Sequence, residues 1–434
     1  MRDSKYFLIR NPYFQKIICF VFAILLCGLI ELSVRIIFPG EDELDKILNV
    51  LQQDSLLFWR LKPNLNVKFQ SVRVETNSLG LRVQDRMNNI VNSKQDFRII
   101  CLGASPTFGW GVEIDDAYPS RLERILAEKF DPDRRIEVIN AGIIGYTSYQ
   151  GVTFFKNEIL KLSPDLVTIS YVVNDVDKYR FYRNDGRSDK EQKPKNKILV
   201  YFENIFEKSK LFRILKKNIN RKKNITTKFS GEIKNVYSEN RRVSFEDYKK
   251  NLDVIIDIAK RNNIKVVLLK IKVISPFSGR QIVDSFKYKA DKYIYRGLDY
   301  AKQAKYNKAI EEVENALKYN PYSSKASYYL GVYSAKKKEF EKAEVYFQKA
   351  KEMELFECAK LSRRYNQIME VVADKNRVPL VDAVLAFEDF SPKDKDFLFI
   401  NPEHDFVHPS VMGHKVISEE IANILIKYNL LVKD

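Results

Sequence analysis

The sequence predicts an α/β protein: a parallel sheet between two layers of helices, interrupted by a helical insertion and preceded by a membrane-spanning helix. Three observations carry this reading. Short apolar runs bounded by small-residue turns alternate with amphipathic helical patterns, as a parallel sheet covered on both faces requires. Residues 291–356 repeat with a period of 34, which is the mark of stacked helical units. Residues 17–30 are uncharged and apolar. The 434 residues, 45% hydrophobic, suffice for two or three packed domains and exclude wholesale disorder. Four cysteines are too few for a disulfide scaffold of this size. The formal charge is +17, from 74 Lys+Arg against 57 Asp+Glu; where it lies along the chain decides what it means.

Residues 1–16 are a basic amino terminus. The run Ile17–Ile30 is short for a bilayer span, which takes about 20 residues. Counting on to Phe38 reaches that length, with Glu31 and Arg35 as i,i+4 partners near the outer end. An uncleaved signal anchor over 17–38 is expected. A cleaved signal peptide is the competing reading, although no A-x-A site follows the run and Ile24-Leu25-Leu26 make a poor lipoprotein box before Cys27. The basic flank keeps the amino terminus in the cytoplasm, so the chain is expected to be a single-pass protein of the cell membrane, with everything after Phe38 periplasmic or extracellular. Residues 39–94 read as an extracytoplasmic lead-in of extended segments, turning at Pro63-Asn64 and Asn77-Ser78-Leu79-Gly80.

Five strands follow: Phe97–Gly103, Ile136–Gly142, Pro164–Asp175, Ile264–Ile274 and Val378–Ala383. Helical patterns at Ser120–Phe130, Phe245–Arg261 and Leu361–Lys375 lie between them. One domain is therefore split into parts 95–290 and 357–434, with functional loops at the carboxyl ends of its strands. Two insertions interrupt it. Residues 178–234 hold 18 Lys+Arg and 6 Asp+Glu, so 18 − 6 = +12 of the +17 is here. Within it, a helix-like stretch Tyr201–Ile219 puts Tyr201, Ile205, Phe212, Leu215 and Ile219 on one face, fit for a lid, a membrane surface or a solvated basic helix. In residues 291–356, Gly297, Tyr306, Ala309 and Ala316 recur as Gly331, Phe340, Ala343 and Ala350. That stretch resembles two tetratricopeptide repeats, small residues letting paired helices approach, and is expected to offer a protein partner a groove or to serve as a structural insertion.

The three histidines, His404, His408 and His414, fall within eleven residues. A metal reading is weak: zinc sites prefer H-x3-H on a helix plus a third ligand elsewhere, and although His404 and His408 have that spacing, Pro402 and Pro409 flank them and argue for a loop. Four segments at strand ends make a better set. After the first strand, Ser105 lies in a tight turn that can expose a hydroxyl and its own N–H. After the second, Gly145 or Gly142 can bring a backbone N–H close to a ligand. After the third, Asn174 supplies a side-chain amide. Asp405-x-x-His408 puts an orienting carboxylate and a general base on one short loop. A hydroxyl nucleophile, a base, an orienter and three oxyanion donors are the parts needed for acyl transfer. Tyr146 and Trp110 read as pocket walls or core, and His414 as packing of the last helix.

Residues Gly103–Gly109, Asn140–Thr147, Val172–Asp175 and the carboxyl-terminal DxxHPSxxGH resemble, in that order, the blocks of the SGNH (GDSL-type) hydrolase family. The resemblance covers roughly residues 95–180, 245–275 and 360–430, and NSLGLR at 77–82 is similar to the lead-in of its membrane-anchored members. It implies a flavodoxin-like three-layer α/β/α sheet. It also implies catalysis by Ser105, His408 and Asp405, with oxyanion donors Ser105, Gly145 and Asn174, and no metal or organic cofactor. Ala104 and Val172 depart from the family's Asp and Gly. The function implied is a serine esterase or O-acyltransferase acting on an ester, such as an acylated envelope carbohydrate. The alternative is a degenerate scaffold whose repeats recruit a partner in envelope or exopolysaccharide assembly. Nucleic-acid binding is not expected: the anchor opposes it and the basic runs lack interleaved aromatics.

Overall fold

The computed structural model describes residues 12–40, 43–83, 97–130, 135–176, 187–216, 241–271, 284–321, 323–389, 395–401 and 405–432. Helix α1 (Pro12–Ile37) contains a 23-residue stretch, Gln15–Ile37, whose apolar composition and unburied surface make it long and apolar enough to cross a membrane. A signal sequence passes the same test. Helix α2 (Glu43–Val50) leads into two antiparallel hairpins, β1 (Leu51–Asp54) with β2 (Phe58–Leu61), and β3 (Asn66–Phe69) with β4 (Val72–Glu75).

The α/β body then follows in chain order. It comprises β5 (Phe97–Gly103), α3 (Ser105–Phe108), α4 (Tyr118–Lys129), β6 (Ile136–Gly142), α5 (Ser148–Asn157), β7 (Leu166–Ser170) and α6 (Val173–Val176). After α7 (Lys197–Phe206) come α8 (Phe245–Arg261) and β8 (Lys265–Lys270). The five strands, closed by β9 (Leu380–Asp382), pair in parallel in the order β6-β5-β7-β8-β9. Counted within the sheet this is the doubly wound order 2-1-3-4-5, whose crevice lies between β5 and β7. Alternate residues of β5 face opposite layers. Ile100 and Leu102 pack with Phe154 of α5 and Leu252 and Ile256 of α8. Phe97, Ile99 and Cys101 pack with Leu122 and Leu126 of α4 and with Ile417, Ile421 and Leu425 of α14 (Val411–Lys427). Both faces of the sheet are thus dry, which is why its strands read as continuous apolar runs.

Between β8 and β9 the chain makes α9 (Asp284–Lys302), α10 (Tyr306–Tyr319), α11 (Ser324–Lys336) and α12 (Phe340–Asn376). A Cβ on Gly297 would lie 2.6 Å from the Val313 side chain, and one on Gly331 would lie 2.7 Å from the Phe347 ring. The small residues at the 34-residue period therefore do mark close helix contacts. Helix α12 runs unbroken for 37 residues out of this insertion and onto the sheet, where Tyr365, Met369 and Val372 join the core. The helix expected over Leu361–Lys375 is its second half.

Three elements differ from expectation. The third strand ends at Ser170, and Asn174 and Asp175 lie on the short helix α6 instead. The stretch from Tyr201 is not one helix: it breaks after Phe206 and restarts over 210–216, with Ile219 outside the described residues. The break follows from hydrogen bonding: the Glu31 carboxylate of α1 accepts the N–H groups of Lys210 (2.8 Å) and Leu211 (3.0 Å) and starts the second helix there. Finally, Asp405–Pro409 is a strand, β11, paired antiparallel with β10 (Phe399–Asn401), rather than a plain loop. The short helix α13 (Ala383–Glu388) follows β9 at the sheet edge.

Candidate active site

Three of the predicted residues come together at the carboxyl end of the sheet. Ser105 opens α3 directly after β5, and its Oγ lies 2.8 Å from His408 Nε2. His408 Nδ1 lies 2.7 Å and 2.9 Å from the two carboxylate oxygens of Asp405. The three-residue spacing works because β11 curls back on itself: Asp405 Oδ1 also accepts the backbone N–H groups of Val407 (3.2 Å) and His408 (3.1 Å). Burial alone would push the Asp405 carboxyl up, but these bonds and the imidazole outweigh it and hold it below its ordinary value. The carboxylate is therefore ionised wherever the imidazole must be oriented. Trp110 stacks on the His408 ring, with centroids 5.0 Å apart and planes 14° from parallel. It is itself held edge-on by Phe69 of the lead-in at 5.0 Å. Read from the sequence as a pocket wall or core, this indole lies directly on the His408 ring.

The α3 turn is built tightly. Gly109 ends it in the left-handed region at φ 84°, where its N–H bonds to Ser105 O. Gly142 at the end of β6 passes so close that a Cβ would meet Phe108 N at 2.1 Å. The Gly142 N–H is also taken, donating to Asn140 Oδ1 at 3.0 Å. Of the two glycines considered as oxyanion donors, Gly142 thus has a structural task. Gly145 sits at the third position of a turn closed by Tyr146 N to Ile143 O (3.1 Å), with φ 79°. A positive φ at that position is the mark of a type II turn and favours glycine. Asn174, on α6, donates from Nδ2 to Tyr146 O at 3.0 Å. This ties the third block to the Gly145 turn and leaves the second amide proton for a ligand.

Behind this front lies a buried polar frame that the sequence reading missed. Arg82, 1% exposed, donates to the carbonyls of Phe108 (2.8 Å), Gly109 (2.6 Å) and Val112 (2.9 Å). It braces the Ser105 turn from the lead-in side. Burial lowers its pKa to about 10, which leaves it charged at neutral pH. Trp59 Nε1 donates to Ile144 O at 2.8 Å. Arg242 donates to Gly145 O (2.7 Å) and Gln150 Oε1 (2.7 Å) and pairs with Asp189, both ionic partners being essentially unexposed. Asp189 in turn accepts from Thr147 Oγ1 at 2.7 Å. Asp175, next to Asn174, accepts from Ser148 N at 3.0 Å, and burial pushes its carboxyl up to about 7. Partial signals existed: Arg82 closes NSLGLR, and Trp59 is one of two tryptophans.

His414 packs on α14 as expected, fully buried, its Nδ1 accepting from Tyr118 N at 3.2 Å. His404 lies outside the described residues. Val172 and Ala104 are both buried. Among the described residues, no group of three or more His, Cys, Asp or Glu is placed to hold a metal.

The model of the GDSL-like lipase/acylhydrolase family matches residues 101–321, half of the chain, and the chain belongs to that family. The match includes Ser105, Gly145 and Asn174 and ends before Asp405 and His408. No curated protein matches the chain in sequence. Solved structures that it resembles include LAE5, an α/β hydrolase enzyme from the metagenome of Lake Arreo, Spain, at 16% identity over 79% of this chain and 99% of that one, TM-score 0.37. A lipase/acylhydrolase from Enterococcus faecalis follows at 13% identity over 78% and 98%, TM-score 0.36. An acetyl xylan esterase from Geobacillus stearothermophilus matches at 12% over 78% and 97%, TM-score 0.38.

Proposed function

We propose that the chain is a membrane-anchored serine esterase acting outside the cytoplasm, with Ser105 as nucleophile, His408 as base and Asp405 as orienter. The observation that carries this is the continuous hydrogen-bond chain Asp405–His408–Ser105. Ser105 Oγ attacks the ester carbonyl while His408 Nε2 takes its proton. The ionised Asp405 holds Nδ1–H and stabilises the imidazolium that forms. The Ser105 and Gly145 N–H groups and the Asn174 amide receive the oxyanion. His408 returns the proton to the leaving alcohol, and water resolves the acyl-serine. A sugar hydroxyl in the place of water gives O-acyl transfer, and O-acyl groups of an envelope polysaccharide are the substrate class proposed. Helix α1 is the anchor, and α9–α12 are read as a tetratricopeptide-like unit for a protein partner.

The test is hydrolysis of p-nitrophenyl acetate by the purified full chain and its Ser105→Ala variant, with organophosphonate labelling as a second readout. Turnover and labelling are expected in the wild type only. Equal rates in both proteins, or no labelling of folded wild type, refutes the mechanism.

A further inference from the structure

Helix α7 is amphipathic the wrong way round for a protein in water. Its inward face carries Val200, 6% exposed, and Asn204, whose side chain bonds to both the N–H and the carbonyl of Gln53 at 2.9 Å. Glu203 accepts from Lys195 at 2.8 Å beside them. Its outward face carries Ile198, Leu199, Tyr201, Phe202, Ile205 and Phe206, each between 42% and 66% exposed. At 3.6 residues per turn these six fill one arc of roughly 160°. A patch of this size on an otherwise packed protein marks a surface made to be covered.

What covers it follows from where it stands. The segment just after α7 is clamped to the outer end of α1. Arg35 donates to Lys208 O (3.0 Å), Ser209 Oγ to the Glu31 carboxylate (2.7 Å), and the N–H groups of Lys210 and Leu211 to the same carboxylate. Lys210 also reaches the carbonyls of Phe38 and Gly40, where α1 ends. Helix α7 therefore ends two residues before Lys208, which is bonded to the outer end of a helix whose own apolar surface is bare. Lys193, Lys197 and Lys208 are exposed at or near its two ends, within the segment that carries +12. An apolar face with exposed lysines at its ends, beside a membrane span, is the composition of a helix lying in a headgroup–acyl boundary.

We infer that α7 is an interfacial helix whose outward face, centred on Phe202, is buried in an anionic phospholipid bilayer next to the anchor. The inference rests on the reading of α1 as a membrane span and goes beyond it: the domain is attached at two points, which fixes its tilt on the membrane. In the full chain reconstituted into phosphatidylethanolamine–phosphatidylglycerol vesicles, three separate replacements test this: Phe202→p-benzoylphenylalanine, Leu25→p-benzoylphenylalanine and Leu385→p-benzoylphenylalanine. Leu385 is exposed on α13, at the sheet edge opposite the lead-in. Irradiation is expected to yield phospholipid adducts at 25 and 202 and none at 385. Adducts at 25 but not 202 overturn the inference and leave the anchor standing. No adduct at either 25 or 202 removes the anchor as well. Adducts of 202 to protein instead of lipid, or equal lipid adducts at 202 and 385, also overturn it.

Discussion

Replacing Trp59 by phenylalanine asks whether a residue of the lead-in sets the oxyanion geometry. The Trp59 indole N–H donates to Ile144 O at 2.8 Å. That carbonyl belongs to the same peptide plane as the Gly145 N–H, and in a trans peptide the two point in opposite directions. The indole bond therefore aims the Gly145 N–H. Phenylalanine keeps most of the buried bulk and an aromatic face for the Arg242 guanidinium, 5.2 Å from the ring. The Tyr146 hydroxyl bond to Trp59 O survives, because its acceptor is backbone. What is lost is one donor, leaving a buried carbonyl unpaired at a cost of about 1–3 kcal/mol. Complete loss of an oxyanion donor lowers kcat by about 10² to 10³. Because the turn still has its Tyr146–Ile143 bond and Gly145 its φ, misdirection is partial. Trp59→Phe should lower kcat by about tenfold to a hundredfold and leave KM unchanged, as for an interaction made only in the transition state. Steady-state hydrolysis of p-nitrophenyl acetate by the full chain gives both constants, and urea unfolding gives the stability loss. A variant less stable by the expected amount but with wild-type kcat would show that the indole only fills the core.

Asp405→Asn keeps the size of the orienting group but turns the Oδ2 acceptor facing His408 Nδ1 into an NH2 donor, which favours the wrong His408 tautomer. It should lower kcat by about 10⁴ with little change in KM, and a loss below tenfold would remove Asp405 from the mechanism. His414 gives a pH prediction. Burial, first, and the charges of Arg82 and Arg121 lower its pKa from 6.5 to about 3 in the folded protein. The unfolded chain binds that proton as pH falls through about 6.5 and the folded protein does not, so stability must fall from there down to about pH 3. At about 1.4 kcal/mol per pH unit the loss from this group is about 3 kcal/mol by pH 4. Urea midpoints of wild type and His414→Gln measured between pH 7 and 4 should converge on acidification, and parallel curves would contradict a neutral buried imidazole.

The parts of the site legible in the sequence are those whose geometry is local. Ser105 follows a strand and opens a turn, Gly145 occupies a four-residue turn, and Asp405 and His408 close on each other across three residues. Each is specified by its neighbours in the chain, so each reads as a motif. The frame behind them is specified by distant residues. Trp59 is 85 positions from Ile144 and Arg242 is 97 from Gly145, and no local pattern announces such pairings. Arg242 was further hidden by company: it follows a segment with 18 other basic residues, and composition does not separate one buried guanidinium from many solvated ones. The inverted face of α7 was illegible for a similar reason. Periodicity shows that a helix has an apolar side, but only the packing of Val200 and the Asn204–Gln53 bonds shows that this side points out.

These distant contacts converge on one turn. Trp59 fixes the carbonyl before Gly145 and Arg242 fixes the carbonyl after it, so the two peptide planes that meet at Gly145 are both pinned. The two clamps also hold each other, since the Arg242 guanidinium lies over the Trp59 ring. Trp59 comes from the lead-in that follows α1, and Asp189, the partner of Arg242, comes from the insertion whose next segment is bonded to Glu31 and Arg35. The Gly145 turn, proposed above as an oxyanion donor, is thus held by the same two segments that meet at the outer end of α1. An esterase built on the sheet alone would need neither. Their presence at Gly145 means that, on the proposed mechanism, loosening the lead-in or the insertion would act on the direction of the Gly145 N–H, while Ser105, His408 and Asp405 keep their own bonds.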